Sequence, residues 1–370
     1  MAFSFFLSLL ILAYTYVGYP LLVGVMARLF PRRANGTELH TLPMVSALIP
    51  VYNGEAFIRE KLDSLLTLDY PADRLEILFC SDCSEDGTNV LLDACAREYP
   101  DQVRVFFMQA RSGKPAILNR LRREARGQVL LMTDIRQPLE KRCLRYLVEG
   151  LADPQVGIAG GQLCLRGETG AGLYWKYENY IRQSESAYRG VTGVSGSLYV
   201  IAAADMQDLP KDIILDDVWV PSLQWLQGQE VILVPEAIAW DRAMEDNREF
   251  VRKVRTLAGN YQLLRRLPAL LLPWKNPVWF EFFSHKFMRL VCPWALLVLF
   301  GSSFFLWLQG GGADRMAGIF LIAQIAFYLF ALLGERGGRM GKLARTFVLL
   351  NVAALVGLWR FLRGSQKIAW

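Results

Sequence analysis

Four short apolar runs in this chain end on residues able to bind or polarise a ligand. Val45 to Ile49 leads into PVYNGE, with Pro50, Tyr52, Asn53 and Glu55, and Leu75 to Cys80 leads into SDCSEDGT, with Asp82, Ser84 and Asp86. Val103 to Phe107 is followed by RSGKPAILN, with Gly113, Lys114 and Asn119, and Val129 to Met132 by TDIRQ, with Asp134 and Arg136. One acid after an apolar run means little, because Asp is also a common helix cap. Four polar ends in succession point to a nucleotide site. Further along, ILDDVW carries the adjacent acids Asp216 and Asp217. A carboxylate within hydrogen-bond reach of an alcohol can take its proton as the oxygen attacks. Two acids opening DDVWVPSLQWL would equally complement a helix dipole with no chemistry at all.

The elements that must position these residues follow from the pattern around them. The four runs are β-rich, and amphipathic stretches such as EAFIREKLDSLL and TNVLLDACAREY separate them. From Thr41 to about Pro273 the chain therefore reads as alternating strands and helices. That alternation predicts an α/β domain with a parallel sheet covered by helices, whose ligands bind beyond the carboxyl ends of the strands.

The remainder belongs to a membrane. Of 370 residues 53% are hydrophobic, and the apolar residues are concentrated at the two ends of the chain. Ala2 to Ala27 contains no charge and exceeds the roughly 20 residues that cross a bilayer as a helix. The basic residues Arg28, Arg32 and Arg33 come after it, which argues for a retained anchor over a cleaved signal peptide and places that flank in the cytosol. Leu290 to Leu308 and Met316 to Leu333 read as further spans, separated by the turn QGGGADR and followed by the basic loop GERGGRMGKLAR. Phe347 to Trp359 is short and bracketed by Arg345 and Arg360, so it either crosses or lies in the interface, with the basic tail RFLRGSQKIAW beyond it. NPVWFEFFSHKFMRL mixes aromatics with His285, Lys286 and Arg289 and reads as an interfacial helix, His285 being an interface residue and not a metal ligand. The expected organisation is an anchor over 1–33, a soluble domain over 41–273 and a membrane segment over 274–370. The net charge of +6, from 41 basic and 35 acidic residues, lies largely beside the apolar segments. It points to anionic lipid as a partner and away from nucleic acid. The six cysteines include one CxxC, Cys80 to Cys83, with no second pair at zinc-finger spacing, and are read as reduced thiols.

In this order, the strand-end motifs, VSGSLYVI with ILDDVW, and VRKVRTLAGNYQ resemble the membrane-bound glycosyltransferases of family 2, the group that includes cellulose, chitin and hyaluronan synthases. The likeness covers most of the chain. It implies a GT-A-type, Rossmann-like domain in the cytosol, held at the inner or plasma membrane by N- and C-terminal transmembrane helices. The implied activity is inverting transfer from a nucleotide sugar, expected to be a UDP-sugar, in extracellular or capsular polysaccharide synthesis. A rival within the same chemistry transfers a single sugar to a membrane lipid. A reading from another class, prompted by Arg136 and Thr256, is an inactive scaffold that keeps the fold. The acceptor is then a carbohydrate or a lipid-linked group. Three or four spans are few for a polymer channel, so a second copy or an export subunit is an expected partner.

The resemblance also assigns roles. Tyr52 and Asp82 would hold the base, with Pro50, Asn53 and Glu55 on the same donor side, and Lys114 would lie near the diphosphate. Asp134 stands at the family's first metal-binding acid, and Arg136 replaces its partner. Mg²⁺ or Mn²⁺ remains the expected cofactor, because one carboxylate together with phosphate oxygens can hold such an ion. The alternative is that Arg136 itself neutralises the phosphates. Asp217 falls at the general base, with Asp216 as its acidic neighbour. In the last motif Arg252 takes the place of the Gln, Arg255 that of the Arg and Thr256 that of the Trp, with Gly259 and Gln262 also fitting. Arg252 and Arg255 would close over the donor diphosphate, and the missing Trp bears on the acceptor region.

Overall fold

The computed structural model describes residues 1–33, 41–166, 172–242, 246–310 and 314–366. A seven-stranded sheet forms its centre, in the order β3-β2-β1-β4-β6-β5-β7. The strands are β1 (Val45–Val51), β2 (Leu75–Ser81), β3 (Val103–Phe107), β4 (Val129–Met132), β5 (Val156–Arg166), β6 (Tyr199–Ala202) and β7 (Glu230–Arg242). Every residue of β1 and β2 is buried, as expected of parallel strands covered on both faces. Alternate residues serve two cores: Ala47, Ile49 and Val51 pack with Leu62, Leu65 and Phe79, while Leu48 packs with Ile117, Met132 and Tyr199.

The parallel expectation holds across β1 to β4 and needs correcting at β6, which runs antiparallel to both β4 and β5. The reversal pairs Met132 with Tyr199, so the VSGS turn ahead of β6 arrives at the same sheet edge as the TDIRQ loop after β4. Hydropathy shows that a segment is a strand but carries no information about its direction.

Among the described residues, four helices are long and apolar enough to cross a membrane: Ala2–Leu29, Trp279–Gln309, Arg315–Leu333 and Gly338–Leu362. The segment read as a basic loop, GERGGRMGKLAR, is instead a short turn over Gly334–Gly337 followed directly by helix. Arg339, Lys342 and Arg345 recur every third residue, leaving Gly341 and Ala344 to the buried face. The apolar stretch that looked short is thus the later part of a 25-residue helix. Residues 311–313 of the QGGGADR turn and the last four residues of the basic tail lie outside the described residues.

The first helix also docks on the sheet domain. Arg32 pairs with Asp153 and Glu230, and the Tyr19 hydroxyl donates to Glu185 at 2.6 Å on helix Gly172–Tyr188. His285 proves to be buried, its two ring nitrogens 2.7 Å from Glu185 and 3.2 Å from Glu178 on that same helix. It lies inside the junction between membrane helices and domain, not on an exposed interfacial face. The cysteines are all free thiols.

Candidate active site

Asp82, buried at the end of β2, accepts the N–H groups of Ser112 at 2.7 Å and Gly113 at 2.9 Å with its two carboxylate oxygens. Those bonds fix the start of helix Lys114–Glu124 and so the position of Lys114. The Lys114 ammonium lies 3.0 Å from Asp134 Oδ1 and 3.1 Å from Asp216 Oδ2. Burial disfavours that charge, yet Asp134, Asp216 and Asp217 together hold its pKa above the ordinary lysine range. Burial and then the neighbouring Asp216 push the Asp217 carboxyl up to about 6, with Lys114 opposing. One cation thus pairs with two acids, while a third has the pKa of a usable base near neutrality.

One wall of this cluster comes from the turn ahead of β6 and the start of that strand. Val194 donates its N–H to the Asp217 carbonyl at 3.1 Å. A Cβ placed on Gly196 would lie 3.2 Å from Lys114 Nζ and 3.5 Å from Asp217 Cβ, so the bare backbone there keeps the space beside both groups open. Tyr199 contributes a buried hydroxyl with no hydrogen-bond partner. Burial, followed by the Asp216, Asp217 and Asp134 charges, holds that hydroxyl well above its usual pKa.

β4 ends at Met132, and Asp134 sits in the loop beyond it. Lys61, fully buried, supports this loop from beneath: its ammonium donates to Thr133 Oγ1 and to the Gln137 carbonyl, each at 2.6 Å. Thr133 Oγ1 in turn donates to the Ser197 carbonyl at 2.7 Å, tying the loop to the VSGS turn. Burial lowers the Lys61 pKa to about 7. Arg136 donates to Asp241 on β7 at 3.0 Å. Lys61 and Asp241 were not singled out in the sequence.

At the far end of β1, the Arg111 guanidinium covers the Tyr52 ring at 3.7 Å from its centroid, another partner the sequence did not disclose. Asn53 donates its N–H to Ser84 and accepts that of Glu85. Glu55 accepts the Gly87 N–H at 2.9 Å. Both residues thus tie the PVYNGE turn to SDCSEDGT, and Pro50 is buried within β1 opposite Cys80. The Asn119 amide is spent on both backbone groups of Leu209.

Helix Asp246–Arg266 braces the acid pair from the other side. Gln262 accepts the Ile214 N–H at 3.0 Å and donates to the Asp212 carbonyl at 2.8 Å, and Gly259 packs beneath Leu215. On the same helix Arg255 is half-buried and Arg252 exposed. The structure therefore brings Lys114, Asp134, Asp216 and Asp217 together, with Arg252 and Arg255 on the bracing helix and Tyr52 at the β1 end.

Among the described residues no three His, Cys, Asp or Glu side chains converge as a metal cage. Asp134 Oδ1 is nevertheless buried without a hydrogen bond, although the Lys114 ammonium faces it at ion-pair distance. The residues present fit a divalent ion only if a ligand supplies further oxygens, as phosphates can.

Residues 46–199 match glycosyl transferase family 2. A probable glycosyltransferase of Bacillus subtilis is 36% identical over 129 residues, covering 34% of this chain and 30% of that protein. A beta-monoglucosyldiacylglycerol synthase of Synechocystis is 27% identical over 168 residues, 43% of this chain and 35% of the synthase. A poly-beta-1,6-N-acetyl-D-glucosamine synthase of Staphylococcus epidermidis is 22% identical over 233 residues, covering 60% and 56%. The chain thus spans about a third of the length of the first two of these relatives. Among solved structures, a mannosyltransferase of Pyrobaculum calidifontis in complex with GDP-Man and Mn²⁺ superposes with a TM-score of 0.76 at 22% identity, covering 96% of this chain and 97% of that one. That likeness is one of fold, the GT-A arrangement of mixed sheet and apolar helices.

Proposed function

We propose, from the match of residues 46–199 to glycosyl transferase family 2, an inverting membrane enzyme that moves a sugar from a nucleotide sugar to a hydroxyl acceptor at the membrane face. The observation that carries the reading is the Lys114 ammonium between Asp134 and Asp216, with Asp217 alongside at a raised pKa. Asp217 takes the proton of the acceptor hydroxyl as its oxygen attacks the anomeric carbon. The diphosphate departs from the opposite face, so one displacement inverts the centre. Lys114 meets the negative charge that grows on the leaving group. Asp134 is the residue that would hold Mg²⁺ or Mn²⁺ together with diphosphate oxygens, and such an ion would supply further neutralisation of that charge.

On the donor side, Tyr52 and Arg111 offer a flat surface to the base, a UDP base in the reading favoured here. Arg252 and Arg255 approach from the 246–266 helix. Asp82, Asn53 and Glu55 act by holding the surrounding loops, as their backbone contacts suggest. The catalytic domain over 41–273 works on the cytosolic side, where nucleotide sugars are made, between the 1–33 anchor and the 274–370 membrane segment.

Extracellular or capsular polysaccharide assembly and transfer of one sugar to a membrane lipid share this chemistry and differ in product length. The lipid reading is favoured by the docking of the first membrane helix directly on the domain, through Tyr19 and Arg32. The purified protein, screened against a panel of nucleotide sugars with released nucleotide and product mass both measured, should turn over one donor and add one sugar. A ladder of masses would favour the polymer reading, and no release from any donor would sink the enzymatic one.

A further inference from the structure

Between the domain and its membrane helices lies a cavity of about 230 Å³, several times the roughly 30 Å³ a water occupies in the liquid. Tyr16 of the first membrane helix, Lys286 and Arg289 of the second and Asn351 of the last form one side, and Glu178 and Lys253 of the domain the other. One nitrogen of the Arg289 guanidinium is bonded to Glu178 and to the Tyr174 hydroxyl. Its Nε and its second terminal nitrogen are buried and have no hydrogen-bond partner. That free edge is the two-pronged donor that matches a pair of oxygens on one phosphate. Glu178 cannot answer it, because one carboxylate oxygen is held by Arg289 and the other faces His285. Lys253 and Lys286 add two ammonium groups, so three cations line the cavity against one carboxylate. Burial, and then Arg252, lower the Lys253 pKa, with Glu249 and Glu178 opposing.

We propose that this cavity binds the phosphate of a membrane lipid, with Arg289 gripping two phosphate oxygens and Lys253 and Lys286 balancing the charge, and so seats a phosphate-bearing acceptor lipid beside Asp217. The source is the bilayer because three of the apolar helices contribute walls. The acceptor role rests on the glycosyltransferase reading, and its location supports it. Helix 246–266 joins the two: its Lys253, Thr256 and Asn260 line the cavity, while its Gly259 and Gln262 hold the 212–215 segment that leads into the acid pair.

The test uses the full chain in a neutral maltoside detergent, with melting temperature followed against dioleoyl phosphatidic acid, dioleoylglycerol with the same tails, and inorganic phosphate. Phosphatidic acid should raise the melting temperature saturably, diacylglycerol should not, and inorganic phosphate should act only at much higher concentration. Lys253→Gln with Lys286→Gln should raise the half-saturating lipid concentration by about tenfold or more, the scale of losing charge-assisted hydrogen bonds. Arg289→Lys, which keeps the charge facing Glu178 but removes the open edge, should do the same. If Arg289→Lys does not fold, the double lysine variant decides alone. An equal response to diacylglycerol, an equal response to inorganic phosphate at the same concentration, or an unchanged response in the variants would each overturn the proposal. Nucleotide binding, measured calorimetrically on the same preparation, is the separate arm. Its absence in the wild-type protein would refute the glycosyltransferase reading and leave the lipid result standing.

Discussion

Burial raises the Asp217 carboxyl to about 6, reinforced by Asp216, and a general base works only when ionised. An acid with a raised pKa is protonated as pH falls through that value, so kcat/KM should be level above about pH 6 and drop about tenfold per unit below it. Asp217→Asn should abolish that limb and lower the rate by about 10²- to 10⁴-fold while leaving donor affinity nearly unchanged. A variant that keeps both the limb and turnover within a few-fold of wild type would move the base elsewhere. The neighbouring Asp134 makes a second prediction. Lys114 already occupies one side of its free oxygen, so Mg²⁺ or Mn²⁺ should bind weakly to the empty protein. With nucleotide present the diphosphate adds oxygens, and metal and nucleotide should each raise the affinity for the other by the same factor. Calorimetric titration should show the difference, and Asp134→Ala should erase it. Full turnover in excess chelator would mean that Lys114 handles the phosphate charge without a metal. The acids of this cluster were legible because each closes an apolar run or opens a helix. Lys61 left a signal that went unread: with Ile58, Leu62 and Leu65 it falls on the buried face of its helix, and a lysine on an apolar face must find partners inside. Arg111 and Asp241 left none, since the ring or guanidinium each one meets is set by tertiary packing.

Helix 246–266 shows how an element far along the chain can govern the acids. Its Gln262 side chain satisfies two backbone groups of the 212–215 segment that leads into Asp216. Gln262→Leu removes both bonds at nearly constant volume. The stability cost should be about 1 kcal/mol, because the contacts are partly open to water. Loosening the segment should displace Asp217 from the acceptor, and misplacement by about 1 Å can cost up to 10²-fold in rate. The expected outcome is a fall in kcat with donor KM little altered; an unchanged kcat in a folded variant would show that the bracing is unnecessary. At this scale β1 to β4 were readable because burial on both faces makes them continuous apolar runs. The antiparallel course of β6 was not, since strand direction leaves no periodicity. The segment around His285 was misjudged for a related reason. Aromatic and basic residues mark an interfacial helix by composition, but Glu178 and Glu185 lie 107 and 100 positions before His285 and turn that face inward.

For the whole molecule, the open point in the sequence was the course of the last apolar helix, because a stretch flanked by arginines has the same composition whether it crosses the bilayer or lies along its surface. Packing decides it. In the later part of Gly338–Leu362, a Cβ on Gly357 would come within 2.9 Å of the Ala258 nitrogen and 3.1 Å of the Val254 oxygen, so this helix lies directly against the 246–266 helix. Phe361 stacks on Tyr261 of the same element at 6.3 Å. Its terminal turns therefore sit on the domain, and an end resting on the domain cannot emerge on the opposite face of the membrane. On the proposed cytosolic placement of the domain, the first helix crosses inward, Trp279–Gln309 outward and Arg315–Leu333 inward, with the final helix in the interface. That course also leaves Arg336, Arg339, Lys342 and Arg345 on the domain side, where the charge bias of membrane flanks favours them. Cysteine labelling can check it in a background with Cys83 and Cys164 changed to Ser, the two thiols that are only partly buried. An impermeant reagent applied to intact cells should label Ala2→Cys and miss both Val90→Cys, which is 71% exposed on the domain, and Ser365→Cys beyond the last helix. Labelling at Ser365→Cys with Val90→Cys protected would mean that the last helix crosses the membrane and that its contact with the 246–266 helix does not form in the bilayer. The outward-facing Ala2→Cys serves as the positive control, because its labelling shows that the reagent reaches the protein from that side.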